Sequence, residues 1–305
     1  MIAILAPGQG SQTPGMLSPW LELDGAEERI AAWSEQAKLD LRTLGTTATA
    51  EEIVDTSVTQ PLVVAAALLA QAELEKRFEL PAETIVAGHS VGELAAAAVA
   101  GVLTADDAVG LAAVRGREMA AACALHPTGM TAILGGDPGE VVAKLTEYGV
   151  EPANMNGAGQ IVAAGDLAAL EKVVTDLPQG VKFRTLKVAG AFHTHYMEPA
   201  QAKLREYASH LSTADPVRTL LSNADGGEVG SGAETLERLV NQVTRPVRWD
   251  SCMATLGARG VTAVVELPPA GALVGLIKRE LPEVARVRLK TPADLDSLAE
   301  FVEAK

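Results

Sequence analysis

The chain has 305 residues, 48% of them hydrophobic and only ten aromatic, so a sizeable core is available and must be built mostly from Ala, Val and Leu. Its net charge of −14 argues against nucleic-acid binding, which needs clustered Lys and Arg to release counterions, but leaves room for a small anion held by one or two placed cations. Cys123 and Cys252 have neither metal spacing nor a disulfide framework and read as small buried side chains of a reduced compartment. No basic residue precedes Arg29, and the apolar runs 62–70 and 94–103 are too short to span a bilayer, so a cytoplasmic protein without a membrane partner is expected.

Residues 2–6 read as a buried strand leading into a glycine turn. Helices are expected at 26–35, at 50–56, where Thr49 and Glu52 have capping-box spacing, and at 60–78. A second short strand at 84–87 runs through another glycine turn into an Ala-rich helix from 91. Buried strands alternating with helices predict an α/β fold with a parallel sheet covered on both faces. From 131 to 188 the pattern changes to strand 131–134, helix 138–145, strands 152–155 and 160–164, a helix from Asp166 through Leu177, and strand 181–188. That β-α-β-β-α-β order is ferredoxin-like and predicts a subdomain over 126–191, inserted into a larger domain of 1–125 and 192–305. Helix 198–212, strand 217–221, helices 233–242 and 249–258, strand 262–267 and helix 272–280 complete the larger unit.

Gly88-His89-Ser90-Val91-Gly92 lies between a predicted strand and a predicted helix, the context a G-x-S-x-G nucleophile elbow requires. The glycines are a steric demand of the tight turn, and the helix N-terminus behind Ser90 favours negative charge developing there. The serine needs a base. His89 is expected to point away from the pocket, His126 to serve a turn, and His210 to sit near a helix C-terminus. His193 and His195, where the inserted unit returns to the large one, remain, and spacing does not choose between them. Gly8-Gln9-Gly10-Ser11-Gln12 ends the first strand; Thr13 stands where a dinucleotide fingerprint needs its third glycine. Beside the elbow, this turn could offer a backbone N–H to an oxyanion. In the helix after Thr104, Arg115 falls in the middle of the apolar stripe Ala108, Leu111, Ala112, Met119 and Ala122, with Arg117 on the opposite face. A guanidinium there is either half of a buried salt bridge or a fork for a substrate carboxylate.

These motifs, with Val114-Arg115-Gly116-Arg117-Glu118-Met119, Asn154-Met155-Asn156 with Gln160, Phe192-His193-Thr194 and Arg245-Pro246-Val247-Arg248-Trp249, resemble the malonyl-CoA:acyl carrier protein transacylases and the acyltransferase domains of fatty-acid and polyketide synthases. The resemblance covers nearly the whole chain and implies an α/β-hydrolase-like domain with the ferredoxin-like insertion. It assigns Ser90 as nucleophile, His193 as base, the amides of Gln9 and Val91 to the oxyanion hole, and Arg115 to the substrate carboxylate. Met119, Asn156 and Phe192 fall to the substrate pocket, and the backbone carbonyl of Gln242 to orienting the histidine. Phe192 and Val91 match malonyl rather than methylmalonyl enzymes. The implied partners are malonyl-CoA and an acyl carrier protein; the CoA thioester is a substrate, no cofactor or metal is bound, and the enzyme is a monomer. The rival readings are an esterase or thioesterase on a related scaffold and a non-catalytic carrier-docking module. Carrier proteins are acidic, so docking on this acidic chain needs a local basic patch, for which Arg184, Lys187, Lys278 and Arg279 are the candidates. The chain departs from its relatives at Leu267-Pro268-Pro269-Ala270, where they usually carry Gly-Pro-Gly.

Overall fold

The computed structural model describes residues 1–178 and 180–298. Two five-stranded sheets organise it. The first is wholly parallel: β1 (Ile2–Ala6) is central, flanked on one side by β2 (Ile85–Gly88). Of the strands of the second sheet, β3 (Thr128–Leu134), β4 (Glu151–Gly157), β5 (Gln160–Asp166) and β6 (Lys182–Thr185) follow one another in the chain. β7 (Thr219–Leu220) then extends the first sheet beyond β2, and β8 (Val247–Arg248) joins the second. β9 (Ala263–Glu266) and β10 (Ala285–Arg288) close the other side of the first sheet, giving the order β10-β9-β1-β2-β7. All residues of β1, β2 and β9 are buried, as helices on both faces require.

The pairing of Ala6 with Gly88 brings β1 and β2 to an end at the same level, so the Gly8–Gln12 turn and the Ser90 elbow share the carboxyl edge of the sheet. The sequence runs outward from β1 in both directions, to β2 on one side and β9 on the other, and a crevice opens at such a switch point. Behind it, helices Thr56–Arg77 and Ala105–Cys123 pack into the main core. The first is capped by Asp55, which accepts from Ser57 N–H, and the second by Thr104, which accepts from Asp107 N–H. Thr56–Arg77 is long and apolar enough to cross a membrane, unlike the shorter runs visible in the sequence, but 78% of its apolar window is buried inside the fold.

The second sheet has the order β6-β3-β5-β4-β8, antiparallel except for the β4–β8 pair. Helices Pro138–Glu147 and Leu167–Thr175 cover it, and Ile133, Val141, Leu145, Ile161 and Val173 belong to a core separate from the main one. β8 comes from well beyond residue 191 and pairs Val247 with Asn154, so the insertion does not close its sheet alone.

Several elements differ from expectation. The helix expected at 50–56 is a single 3-10 turn, Glu52–Val54, because Asp55 starts the next helix. That helix, expected at 60–78, begins at Thr56 and ends at Arg77, because Asp55 caps it a turn earlier and Pro61 removes only one intrahelical bond. Short helices Ser18–Leu21 and Leu41–Thr46 were not anticipated, and β10, whose Ala-Arg-Val-Arg sequence lies at a partly exposed edge, was also missed. The helix expected to reach 212 ends at Ala208.

Candidate active site

Ser90 sits in the turn between β2 and helix Gly92–Val99 with a φ of 54°, a left-handed conformation that needs support. The glycines around it are obligatory. A Cβ on Gly88 would lie 2.2 Å from the backbone of Gly92, and one on Gly92 would lie 2.2 Å from the Ala6 carbonyl oxygen. Asn223 clamps the turn: Ser90 N–H donates to its Oδ1 at 2.8 Å, and its Nδ2 donates to the Gly88 carbonyl at 2.7 Å.

His193 Nε2 lies 2.7 Å from Ser90 Oγ, and its Nδ1 lies 2.9 Å from the Gln242 carbonyl oxygen. A carbonyl can only accept, so Nδ1 carries the hydrogen and the lone pair of Nε2 faces the serine. Burial, reinforced by the Arg115 charge, pushes the His193 pKa down to about 3, so the imidazole is neutral and ready to take a proton. His195 is exposed and meets Glu151; His126, also exposed, lies beside the Tyr196 ring; His210 is exposed beyond the helix ending at Ala208. His89 does not point away from the pocket as expected. It lines it, because the second sheet covers that side of the elbow and Asn156 presents its Oδ1 to His89 Nε2 at 2.9 Å, while the Trp249 ring meets the imidazole edge-on.

Arg115 is only 2% exposed. Its Nη1 donates to Gln60 Oε1 at 2.7 Å; its Nη2 donates to Gln242 Oε1 at 2.9 Å and lies 3.2 Å from Ser90 Oγ. Burial lowers its pKa to about 10, opposed by Glu93, so it stays charged at neutral pH. Among the described residues no carboxylate lies within ion-pair distance of it, which removes the buried-salt-bridge reading. The nearest counter-charge reaches it through Gln242, whose Nε2 donates to Glu93.

A cavity of about 630 Å³ opens in front of these groups, lined by Gln9, Ser90, Arg115, Met119, Asn156, Phe192 and His193. Val91 and Gln242 do not line it: the Val91 side chain is in the main core, and Gln242 lies buried behind Arg115. The backbone N–H groups of Gln9 and Val91 have no hydrogen-bond acceptor among the described residues. Arg184, Lys187 and Arg279 stand on the cavity lining, whereas Lys278 does not. Glu93, Asn223 and Gln60 belong to the site but were not singled out from the sequence. Glu93 had a signal, since it immediately follows the elbow; Asn223 and Gln60 had none beyond being polar next to an apolar element.

Chemically the arrangement is a serine hydroxyl with a neutral base, two backbone amides and a desolvated cation, in a crevice at the edge of a parallel sheet. That defines an enzyme of acyl transfer with a place for an anionic acyl group. The sequence matches the acyl transferase domain family over residues 4–293, and the chain belongs to that family. Within it, the chain is 60% identical over 300 residues to the malonyl CoA-acyl carrier protein transacylase of Mycobacterium tuberculosis, covering 98% of this chain and 99% of the relative. The crystal structure of MCAT from the same organism superposes with a TM-score of 0.94 at 59% identity, over 98% of this chain and 99% of that one. A malonyl-transacylase in complex with a type II PKS acyl-carrier protein superposes with a TM-score of 0.91 at 29% identity, over 98% and 99% of the two chains.

Proposed function

We propose that this acyltransferase moves a malonyl group from malonyl-CoA to the phosphopantetheine thiol of an acyl carrier protein, supplying extender units for fatty-acid or polyketide synthesis. His193 Nε2 takes the Ser90 proton as Oγ attacks the thioester carbonyl. The oxyanion is received by the Gln9 and Val91 amides. When the carbonyl re-forms, the C–S bond breaks and CoA leaves with the proton from His193. The carrier thiol then gives its proton to His193 and attacks the malonyl-Ser90 ester, and serine leaves reprotonated, so the kinetics are ping-pong. Arg115 holds the malonyl carboxylate, with Met119, Asn156 and Phe192 around the acyl and pantetheine chain. CoA thioester enters as substrate, and no bound cofactor takes part in any step.

Three further readings accompany this one. The molecule is an α/β-hydrolase-like unit of 1–125 and 192–305 with a ferredoxin-like unit of 126–191 inserted, a division supported by the β6-β3-β5-β4 order and the separate core. The enzyme works as a cytoplasmic monomer, the compartment supported by two free buried cysteines. The carrier approaches over the basic residues at the mouth, Arg184, Lys187 and Arg279.

The observation that carries the functional reading is Arg115, a buried cation beside the nucleophile that has no carboxylate partner among the described residues. Incubation with malonyl-CoA and no acceptor is expected to load one malonyl group on Ser90, and Ser90→Ala to load none. Arg115→Ala is expected to lower the malonyl-to-acetyl ratio of kcat/KM by roughly 30-fold or more, because truncating one partner of a buried charged contact is typically worth about 2–5 kcal/mol. Both substrates falling together with the ratio unchanged would return Arg115 to a structural role; release of free malonate in place of transfer to a carrier would make the enzyme a thioesterase.

A further inference from the structure

Behind the cavity lies a buried carboxylate that the mechanism above leaves without a task. Glu93 is 5% exposed, on the first turn of the helix that follows the elbow. Each of its oxygens accepts a hydrogen bond: Oε1 from the Asn223 backbone N–H at 2.6 Å, Oε2 from Gln242 Nε2. Gln242 therefore has its amide turned one way, with the NH₂ group toward Glu93 and the oxygen toward Arg115 Nη2. The same NH₂ group also approaches the Ser90 carbonyl at 3.2 Å, an acceptor that fits the same orientation.

We propose that Glu93 is a positioning residue for acyl-group selectivity: through the Gln242 amide it fixes where the Arg115 guanidinium points while leaving that cation unneutralised. The proposal rests on the reading of Arg115 as the malonyl contact. A carboxylate paired directly with Arg115 would compete with the substrate's own carboxylate. One amide farther away, it supplies only an orientation, because an amide turned by 180° would set its NH₂ against the guanidinium, donor against donor. The intervening amide also keeps Glu93 out of direct hydrogen-bonding contact with Arg115, whose side chain meets only Gln60, Gln242 and Ser90 among the described residues. Asn223 gives Glu93 a second fixed point: the backbone N–H that holds Oε1 belongs to the residue whose side chain clamps Ser90 and Gly88. The carboxylate is thereby tied both to the nucleophile turn and to the cation.

Glu93→Gln keeps the size but offers one acceptor where two donors converge. With its oxygen on Asn223 N–H, its NH₂ faces Gln242, whose amide must turn and present NH₂ to Arg115. The malonyl-to-acetyl ratio of kcat/KM is expected to fall at least about tenfold, in the range of one charged hydrogen bond. Taking the ratio on one preparation cancels any loss of folded enzyme. In a Gln242→Met background, which removes the bridge and is itself expected to lower the ratio, Glu93→Gln should change the ratio no further. An unchanged ratio in both Glu93→Gln and Gln242→Met overturns the proposal, as does an additive effect in the double variant. Arg115→Ala measured alongside separates the two readings. If it too leaves the ratio unchanged, the malonyl contact itself is misassigned; if it alone collapses the ratio, only the role of Glu93 falls.

Discussion

His193 and His195 are two residues apart, yet one is buried with its Nε2 on Ser90 Oγ and the other is exposed against Glu151. His193→Ala is therefore expected to slow acylation by about 10²–10⁴-fold, the usual contribution of a general base, and His195→Ala to leave it nearly unchanged; rapid-quench measurement of malonyl-enzyme formation reads both. The buried imidazole also leaves a signature in stability. Its pKa falls from 6.5 in the unfolded chain to about 3 in the native one, so between those values the unfolded state binds more protons and stability drops as pH falls. Glu93 works in the opposite sense: burial raises its pKa from 4.5 to about 7, the native state binds more protons in that window, and stability drops as pH rises through it. Relative to wild type, His193→Gln should gain stability as pH falls below 6.5, by up to about 1.4 kcal/mol per pH unit, in urea unfolding followed from pH 8 to 5. A difference that stays flat over that range would mean that the imidazole is not held neutral.

At the scale of elements, the start of helix Ala272–Glu280, just past Leu267-Pro268-Pro269-Ala270, is held by the residue before that loop. Glu266, the last residue of β9 and fully buried, turns its carboxylate onto the start of helix Ala272–Glu280. It accepts the N–H groups of Gly271, Leu273 and Val274, each at 2.9 Å, in a helix with no capping side chain at the usual position. The helix start is thus held by the carboxylate, and Ala272, Leu273 and Leu276 stand on the cavity wall. Glu266→Ala orphans these donors and is expected to lower stability by about 2–5 kcal/mol, read as a shift of the urea midpoint at constant slope. An unchanged midpoint would place the helix start under the control of the loop backbone. The elbow is an element of the other kind, legible from its glycines alone, because a Cβ at 88 or 92 meets backbone that cannot move aside.

At the scale of the molecule, the site lies between the turns at the carboxyl edge of the first sheet and the strands β3, β4 and β5 of the second. His89, just past β2, meets Asn156 on β4, and Ala158 N–H in the turn between β4 and β5 donates to Glu280 of helix Ala272–Glu280 at 2.6 Å; the segment that follows residue 191 also supplies β8 to the second sheet. The mouth of the cavity carries Arg184 and Lys187 from one side and Arg279 from the other, an exposed basic rim on a chain of net charge −14. If this rim receives an acidic carrier, the triple change to Glu should raise the carrier KM several-fold at low ionic strength and flatten its salt dependence, with kcat kept, since rim charges act on encounter. An unchanged KM at low salt would move the docking surface elsewhere.

Most of the strands and helices, the elbow and the position of Arg115 in an apolar stripe were legible in the sequence, because each is written in local spacing: period 2 or 3.6, a capping residue, a glycine where a side chain would collide. Local spacing does not encode where distant segments meet. That His193 rather than His195 reaches Ser90 depends on a turn with φ of 62° at His193 and on a carbonyl 49 residues away; without the family resemblance the pair stayed undecided. That Arg115 has neutral amides instead of an acid around it depends on Gln60 and Gln242, 55 and 127 residues distant. The inward turn of His89, the two-residue strand β8 and the clamp of Asn223 escaped for the same reason, since each exists only as a contact between parts of the chain that the fold brings together.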